Sequence, residues 1–374
     1  MEKKTKTHDS LFLVLIAGFF ALFFLLSLLL PEKTFSETEN RNLRVRPAFT
    51  WKGYFSGKYE EKYEQYLADQ FPLRDIWITG KAAAERGLAK RENNGILLGK
   101  DGYLFKKESA FDDAQLNKNL GFIQEFASRY QNIPVTLAVI PDKYAVYPEK
   151  LPCGFVPLNQ KSVLAGIPQK LEGVGTGEVF SVLKVHKEEQ IFYRTDHHWT
   201  AMGAYYAYES LGKNLGYTPV PLAEYEKKEI PNFYGTYYNK SKSFLQKGEV
   251  LTYYDIPIRS MHFSGKIVDS LYQTEKFETS DKYSAFLWGN NDVTTIDTQP
   301  QPGQKQRLLV FKDSFANSLI PFLTAHYEEI VVVDLRGNTT PVSELMKTMD
   351  FDDVLLLYSF DILKSDTNLA RITY

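Results

Sequence analysis

A single cysteine, Cys153, in 374 residues excludes an internal disulfide framework and any multi-cysteine metal centre. The fold must therefore be held by its apolar core, which a chain of this length can bury. Net charge is nearly absent too. Forty-four Lys plus Arg stand against 46 Asp plus Glu, and a balance of −2 creates no whole-chain field that would draw a nucleic acid. Long apolar runs are missing after Pro31, so no second membrane span is expected there. Histidine is scarce, with six in the chain, which makes any cluster of it conspicuous.

The one long apolar run is Leu11 to Leu30, with Ser27 as its only hydrogen-bonding side chain. At about 1.5 Å per residue this segment forms a helix of roughly 30 Å, the thickness of a bilayer's hydrocarbon core. Lys3, Lys4 and Lys6 precede it, as in the basic region that stays on the cytoplasmic side. Lys33, Arg41, Arg44 and Arg46 follow it, but long domains cross largely regardless of such charges. Leu28-Leu-Leu-Pro31 offers no small-residue cleavage site. The expectation is a cytoplasmic tail (1–10), a single-pass signal anchor (11–30) and an extracytoplasmic remainder.

Residues 31–108 read as an N-terminal arm. Charged helices fall at Lys58 to Leu67 and Arg74 to Lys90, and a hairpin carries Ile96-Leu-Leu98 and Tyr103-Leu-Phe105 between Asn-Gly and Asp-Gly turns. From residue 109 to 374 helix and strand alternate. A helix near Leu116 to Gln131 precedes the strand Val135 to Ile140, and a strand at about Gln190 to Tyr193 leads to a helix from Ala201 to Leu215. The tail repeats the pattern: strands Arg307–Phe311, Glu329–Asp334 and Asp353–Tyr358, with helices near Ala316–His326 and Val342–Met349. Such alternation implies a parallel sheet with helices on both faces, and a site at the carboxyl ends of its strands. Residues 217–306 break the rhythm and read as an irregular, β-rich insertion lying over or beside the sheet.

Two of the six histidines are adjacent, in Arg194-Thr-Asp-His-His-Trp-Thr200, between a strand and a helix. A carboxylate two residues from an imidazole can accept its Nδ1 hydrogen and leave Nε2 as a base. The same residues are also open to reading as a metal site or as loop-capping histidines, although no His-x-x-x-His spacing accompanies them. A base needs a nucleophile, and Ser314 follows the apolar strand of Leu308-Leu-Val-Phe-Lys-Asp-Ser314 at a helix start. The free amides of such a start favour developing negative charge; the plainer reading is an N-cap serine. The aromatic residues, with 24 Tyr and 26 Phe, cluster at Tyr205–Tyr208, Tyr234–Tyr238 and Tyr253-Tyr254. They are either half-buried core or a surface on which sugar rings stack.

At these residues the sequence resembles a known family. Thr195-Asp-His-His-Trp-Thr200 is similar to the signature of the DHHW proteins, relatives of the alginate O-acetyltransferase proteins of the SGNH-hydrolase-like superfamily. Phe35-Ser-Glu-Thr-Glu-Asn-Arg41, Asp69-Gln-Phe-Pro-Leu-Arg74, Asn94-Gly-Ile-Leu-Leu-Gly-Lys-Asp-Gly-Tyr103 and Ile140-Pro-Asp-Lys143 also resemble recurring segments of that family. The resemblance implies an SGNH-hydrolase-like α/β fold with Asp196 as orienting acid, His198 as base and Ser314 as nucleophile. His197 and Trp199 are carried along as residues near substrate or oxyanion. The block Lys312-Asp-Ser-Phe315 lacks the glycine that precedes Asp-Ser in the superfamily, and the oxyanion blocks have no clear match. Gly235 and Asn317 stand as candidate donors, with turn and helix roles as the alternative.

The function so implied is extracytoplasmic O-acetyl transfer, through a serine acyl-enzyme, to hydroxyls of a cell-surface or secreted polysaccharide. It needs no metal or other cofactor, and the acetyl donor is a membrane-bound O-acyltransferase partner. Two alternatives share the residues: a carbohydrate acetyl esterase, and a non-catalytic polysaccharide-binding envelope scaffold.

Overall fold

The computed structural model describes residues 2–36, 41–108, 111–242 and 246–374, so residues 37–40 of the Phe35–Arg41 segment lie outside it. The chain forms two units, one ending at Lys90 and one starting at Arg91.

The first unit opens with α1 (Glu2–Leu29), which includes the apolar stretch Ser10–Leu29. Of the stretch read as a tail, residues 2–10 are helical as well, since neither proline nor glycine interrupts them. Three shorter helices follow: α2 (Trp51–Phe55), α3 (Lys58–Asp69) and α4 (Arg74–Gly87). Thr50 caps α2, its hydroxyl accepting from the Gly53 amide at 3.1 Å.

The second unit starts with a small antiparallel sheet of Glu92–Asn93, Ile96–Leu98 and Leu104–Lys106. Asn94 and Gly95 both take positive φ in its first turn, as a two-residue hairpin requires. The sequence reading attached this hairpin to the arm; in the structure it falls within the second unit.

The main sheet has eight strands, numbered here along the chain: β1 (Val135–Ile140), β2 (Val174–Thr176), β3 (Ile258–Phe263), β4 (Lys266–Val268), β5 (Val293–Thr298), β6 (Lys305–Lys312), β7 (Tyr327–Val333) and β8 (Asp353–Ser359). Their order is β4-β3-β5-β7-β6-β8-β1-β2. β7, β6, β8, β1 and β2 pair in parallel, while β5, β3 and β4 add antiparallel to the β7 side. The 217–306 insertion therefore extends the sheet by three strands as well as lying beside it.

Side chains alternate across the parallel strands, and both sets are buried. Leu308, Val310, Leu355 and Leu357 join one core. It also takes Ala204, Tyr208 and Leu211 of a helix we number α6 (Ala201–Leu215). Leu309, Phe311, Val354 and Leu356 join the other core, with Leu120, Ile123 and Phe126 of α5 (Ala114–Arg129). Continuous apolar runs in β6 and β8 follow from burial on both faces.

Two local expectations differ. Residues 190–193 form no strand; a single antiparallel bridge joins Phe192 to Trp199 and turns the chain back on itself. The helix expected from Ala316 to His326 is a 3₁₀ turn, Ser314–Ser318, followed by one short α-turn, Ile320–Leu323, because Pro321 lacks the amide that would continue it.

Candidate active site

Ser314 leaves the carboxyl end of β6, between the parallel strands β7 and β8. Its placement depends on Asp313, which is almost wholly buried. One Asp313 oxygen accepts the Phe315 amide at 2.9 Å and the other accepts the Ser359 amide at 2.8 Å, tying the turn to the end of β8. The residue capping this turn is thus Asp313, which leaves the Ser314 hydroxyl uncommitted to the capping role that the sequence allowed it.

The Asp196–Trp199 loop is clamped from two sides. Lys143, just beyond the carboxyl end of β1, donates its Nζ to the carbonyls of Tyr193, Arg194 and Asp196 at 2.7, 3.1 and 2.7 Å. Glu249 accepts the amides of Arg194 and Thr195, each at 2.7 Å, and also the Thr195 hydroxyl. One buried cation thus takes the loop's carbonyls and one buried anion takes its amides, so little of this irregular backbone is left unsatisfied. Thr200 then caps α6, its Oγ1 accepting from the Gly203 amide.

These elements bring Ser314, His198 and Asp196 together, although 116 residues separate the serine from the histidine. Asp196 Oδ1 lies 2.6 Å from His198 Nδ1 and accepts the His198 amide at 2.9 Å; Oδ2 accepts the Thr236 amide at 2.7 Å. With Nδ1–H donating to the carboxylate, Nε2 becomes the acceptor for the Ser314 hydroxyl at 2.8 Å. Burial on its own would raise the Asp196 carboxyl. The flanking imidazoles and the His198 hydrogen bonds outweigh it and hold the group well below the usual carboxylate range. The Tyr283 ring stacks on His198 at 3.7 Å between centroids and 9° between planes, fixing the imidazole's tilt.

His197 turns away from Ser314. Its Nδ1 lies 2.7 Å from Thr236 Oγ1 and its ring packs on that of His198, while desolvation pushes its basicity down. Asp196, His197 and His198 come within 4.8 Å of one another, a spacing a metal ion could use. Both Asp196 oxygens and both His198 nitrogens are already engaged, however, which leaves His197 Nε2 as the one ring nitrogen without a described partner.

Trp199 is wholly buried and cannot meet a substrate, contrary to the sequence expectation. Its indole N–H donates to the Phe315 carbonyl at 3.0 Å and the Ser318 hydroxyl at 2.9 Å, joining the histidine loop to the serine turn. Trp199→Phe is expected to cost about 1–2 kcal/mol of stability and to slow any ester chemistry at Ser314 about tenfold by loosening that join. Denaturant unfolding and ester kinetics on one preparation check both.

Gly235 and Asn317 do not serve as oxyanion donors either. The Gly235 amide is committed to Thr195 Oγ1 at 3.2 Å. A side chain at position 235 would put its Cβ 2.2 Å from Asp196 Cβ, so glycine is what lets the Thr236 amide reach the carboxylate. Gly235→Ala should push Asp196 out of line and slow any ester chemistry at Ser314 by about 100-fold, the scale of a 1 Å misplacement; ester kinetics alongside a thermal melt would separate this from unfolding. Asn317 is buried, its Nδ2 facing Gly289 and Asn290 and its Oδ1 accepting from Lys312 Nζ at 2.9 Å.

Lys312, which directly precedes Asp313-Ser314, points inward. Its Nζ also donates to Asn290 Oδ1 at 2.7 Å and lies 3.6 Å from Asp334. That bond sets the Asn290 amide with its oxygen inward, leaving Nδ2 without a described partner on an exposed residue.

Sequence reasoning missed Lys143, Glu249, Thr236, Tyr283 and Asn290. A lysine three residues past an apolar strand was a readable signal for Lys143. The others come from the insertion, where no periodicity pointed to them.

Residues 157–333 match the family described as DHHW protein. The chain is 30% identical over 170 residues to "Probable alginate O-acetylase AlgJ" of Pseudomonas syringae pv. tomato, 42% of either chain. The aligned region thus spans about two fifths of the curated relatives' length. Among solved structures, a DHHW family protein from Eubacterium siraeum superposes with a TM-score of 0.64 at 24% identity, covering 75% of this chain and 95% of that one. Bacillus cereus PatB1 gives 0.62 at 22% identity, covering 73% and 98%, and a second PatB1 structure carries a sulfonyl adduct. The likeness to these structures shows the fold.

Proposed function

From the match of residues 157–333 to the DHHW protein family, we propose that this chain is an O-acetyltransferase acting on a polysaccharide, with Ser314 as nucleophile in an SGNH-hydrolase-like fold. The observation that carries this reading is the Asp196–His198–Ser314 hydrogen-bonded line, at 2.6 and 2.8 Å. In the first half-reaction Ser314 Oγ attacks the acetyl carbonyl and its proton passes to His198 Nε2, which returns it to the leaving group. In the second, a sugar hydroxyl loses its proton to Nε2, its oxygen attacks the acyl-enzyme, and Ser314 regains the proton. Asp196 holds the imidazole in the required tautomer throughout.

The oxyanion needs N–H donors. In this reading the Ser314 amide at the start of its turn and Nδ2 of the exposed Asn290 supply them, with Lys312 holding the Asn290 Oδ1. The relatives named alginate O-acetylase support a polysaccharide acceptor. Helix α1 is read as a signal anchor that keeps the second unit outside the membrane, with a membrane-bound O-acyltransferase as donor. The test is reagent labelling: a sulfonyl fluoride should block turnover of p-nitrophenyl acetate, and peptide mapping should place the sulfonyl group on Ser314. Inhibition with the label elsewhere refutes the assignment.

A further inference from the structure

The first unit exposes apolar groups at a place where a soluble protein would bury them. Phe71, Leu73, Ile76 and Trp77 are 44%, 51%, 64% and 48% accessible. The same segment stacks on α1: Phe71 lies over Phe23 with centroids 5.5 Å apart and planes at 8°, and Trp77 touches Phe23 and Phe19 at 5.7 and 6.3 Å. Phe23 and Phe19 stand inside the apolar stretch Ser10–Leu29, roughly 9 and 15 Å along the helix from its end. Rings in contact with them lie along one half of a bilayer's hydrocarbon thickness.

A basic groove adjoins this patch. It has a volume of about 810 Å³, is walled by Arg44, Arg46, Lys52, Lys58 and Lys62, and has no acidic residue in its lining. Two carboxylates come close to it: Glu32 lies 3.9 Å from Arg46 Nε, and Asp69 accepts the Arg44 amide at 2.9 Å. Leu43 lines this groove and also a neighbouring one of about 430 Å³, formed by Leu30 and Pro31 at the end of α1 together with Phe71 to Ile76. The cations therefore sit beside the exit of the apolar helix, at the level of lipid headgroups if α1 spans a membrane.

We propose that the first unit is a membrane-surface foot, with the side chains of Phe71, Leu73, Ile76 and Trp77 inserted among lipid chains beside α1 and the basic groove taking the phosphate groups of anionic lipids. Aromatic rings at the interface and long cationic side chains reaching up to headgroups are the chemistry such a surface uses. This inference rests on the reading of α1 as an anchor. It assigns the first unit the task of holding the chain against one leaflet.

The test uses the full chain reconstituted in phosphatidylcholine vesicles with a minor share of phosphatidylglycerol. In a Trp51→Phe background, which removes the other exposed tryptophan of the first unit, bromines placed on the acyl chains should quench the intrinsic fluorescence, and adding Trp77→Phe should remove most of that quenching, because Trp199 is buried in the second unit and Trp288 is partly so. Quenching that is absent, or unchanged in Trp77→Phe, overturns insertion. With equal shares of brominated lipid, brominated phosphatidylglycerol should quench about twice as strongly as brominated phosphatidylcholine. The triple variant Lys52→Gln, Lys58→Gln, Lys62→Gln should bring the ratio to one. A ratio of one in the unaltered chain overturns headgroup binding. So does its loss on adding inorganic phosphate or a soluble acidic polysaccharide, which would give the groove to those ligands. A chain that fails to float with vesicles after an alkaline wash defeats the anchor and the foot together, whereas a floating chain without quenching defeats the foot alone.

Discussion

Ser314→Ala is expected to lower acyl-enzyme formation from an activated acetyl ester by about six orders of magnitude, as for loss of a serine in a unit that acts together. His198→Ala should slow it by about two to four orders, the range for removing a positioned base. The contrast with His197 is the sharper part. The two imidazoles are adjacent and stacked, yet only His198 Nε2 faces Ser314 Oγ, while His197 Nδ1 is turned to Thr236. His197→Ala should therefore do much less than His198→Ala. Stopped-flow release of nitrophenol on the three variants measures all of this. Equal losses for both histidine variants would mean that the ring facing Ser314 is not the base.

Asp196→Asn should be the next largest loss, about 10⁴-fold in rate, because an amide leaves the imidazole in the wrong tautomer. The surroundings add a stability cost. Three N–H donors converge on the Asp196 oxygens, from His198 Nδ1, the His198 amide and the Thr236 amide, and an asparagine cannot accept from all three. The buried amide hydrogen left over costs about 1–3 kcal/mol. The pH dependence follows from the depressed Asp196 ionisation. Unfolded, the carboxyl titrates near pH 4; folded, it stays ionised well below that. Its contribution to stability is therefore complete above about pH 4 and is lost as pH falls toward the folded-state value. Native chain should weaken through that acid window, and Asp196→Asn should not show that component. Unfolding curves at a series of acid pH values measure the difference.

Where the sequence carried strong periodicity, the elements could be read from it. β1 and α6 fall on the expected residues, and β6, β7 and β8 within two residues at each end, because burial on one or both faces writes itself into spacing. The irregular parts could not be read in that way. The 190–200 turn is held by Lys143 and Glu249, whose partners lie about 50 residues away in either direction, and no local pattern encodes such a clamp. The three antiparallel strands added by the insertion were hidden for a related reason. β3 and β5 alternate in burial, as half-buried strands do, and their short polar-rich stretches gave a weak signal. The residues of the Asp196–His198–Ser314 line were legible from residue chemistry and motif order. Their donors and orienting neighbours were not, since Asn290 and Thr236 are ordinary polar residues until the chain places them.

The same geometry serves transfer and hydrolysis, which differ in whether a sugar hydroxyl or water meets the acyl-enzyme. The central claim is that Ser314 carries an acetyl group and hands it to a sugar. The most direct measurement is intact-protein mass spectrometry of the chain after brief exposure to an acetyl ester, followed by addition of an oligosaccharide acceptor. A gain of about 42 Da mapped to Ser314 should appear first, as for one serine-bound acetyl group. It should then decay faster with the acceptor present, and the same mass should appear on the oligosaccharide. An adduct on any other residue, or one on Ser314 that decays only to acetate at a rate the sugar does not change, would contradict the account.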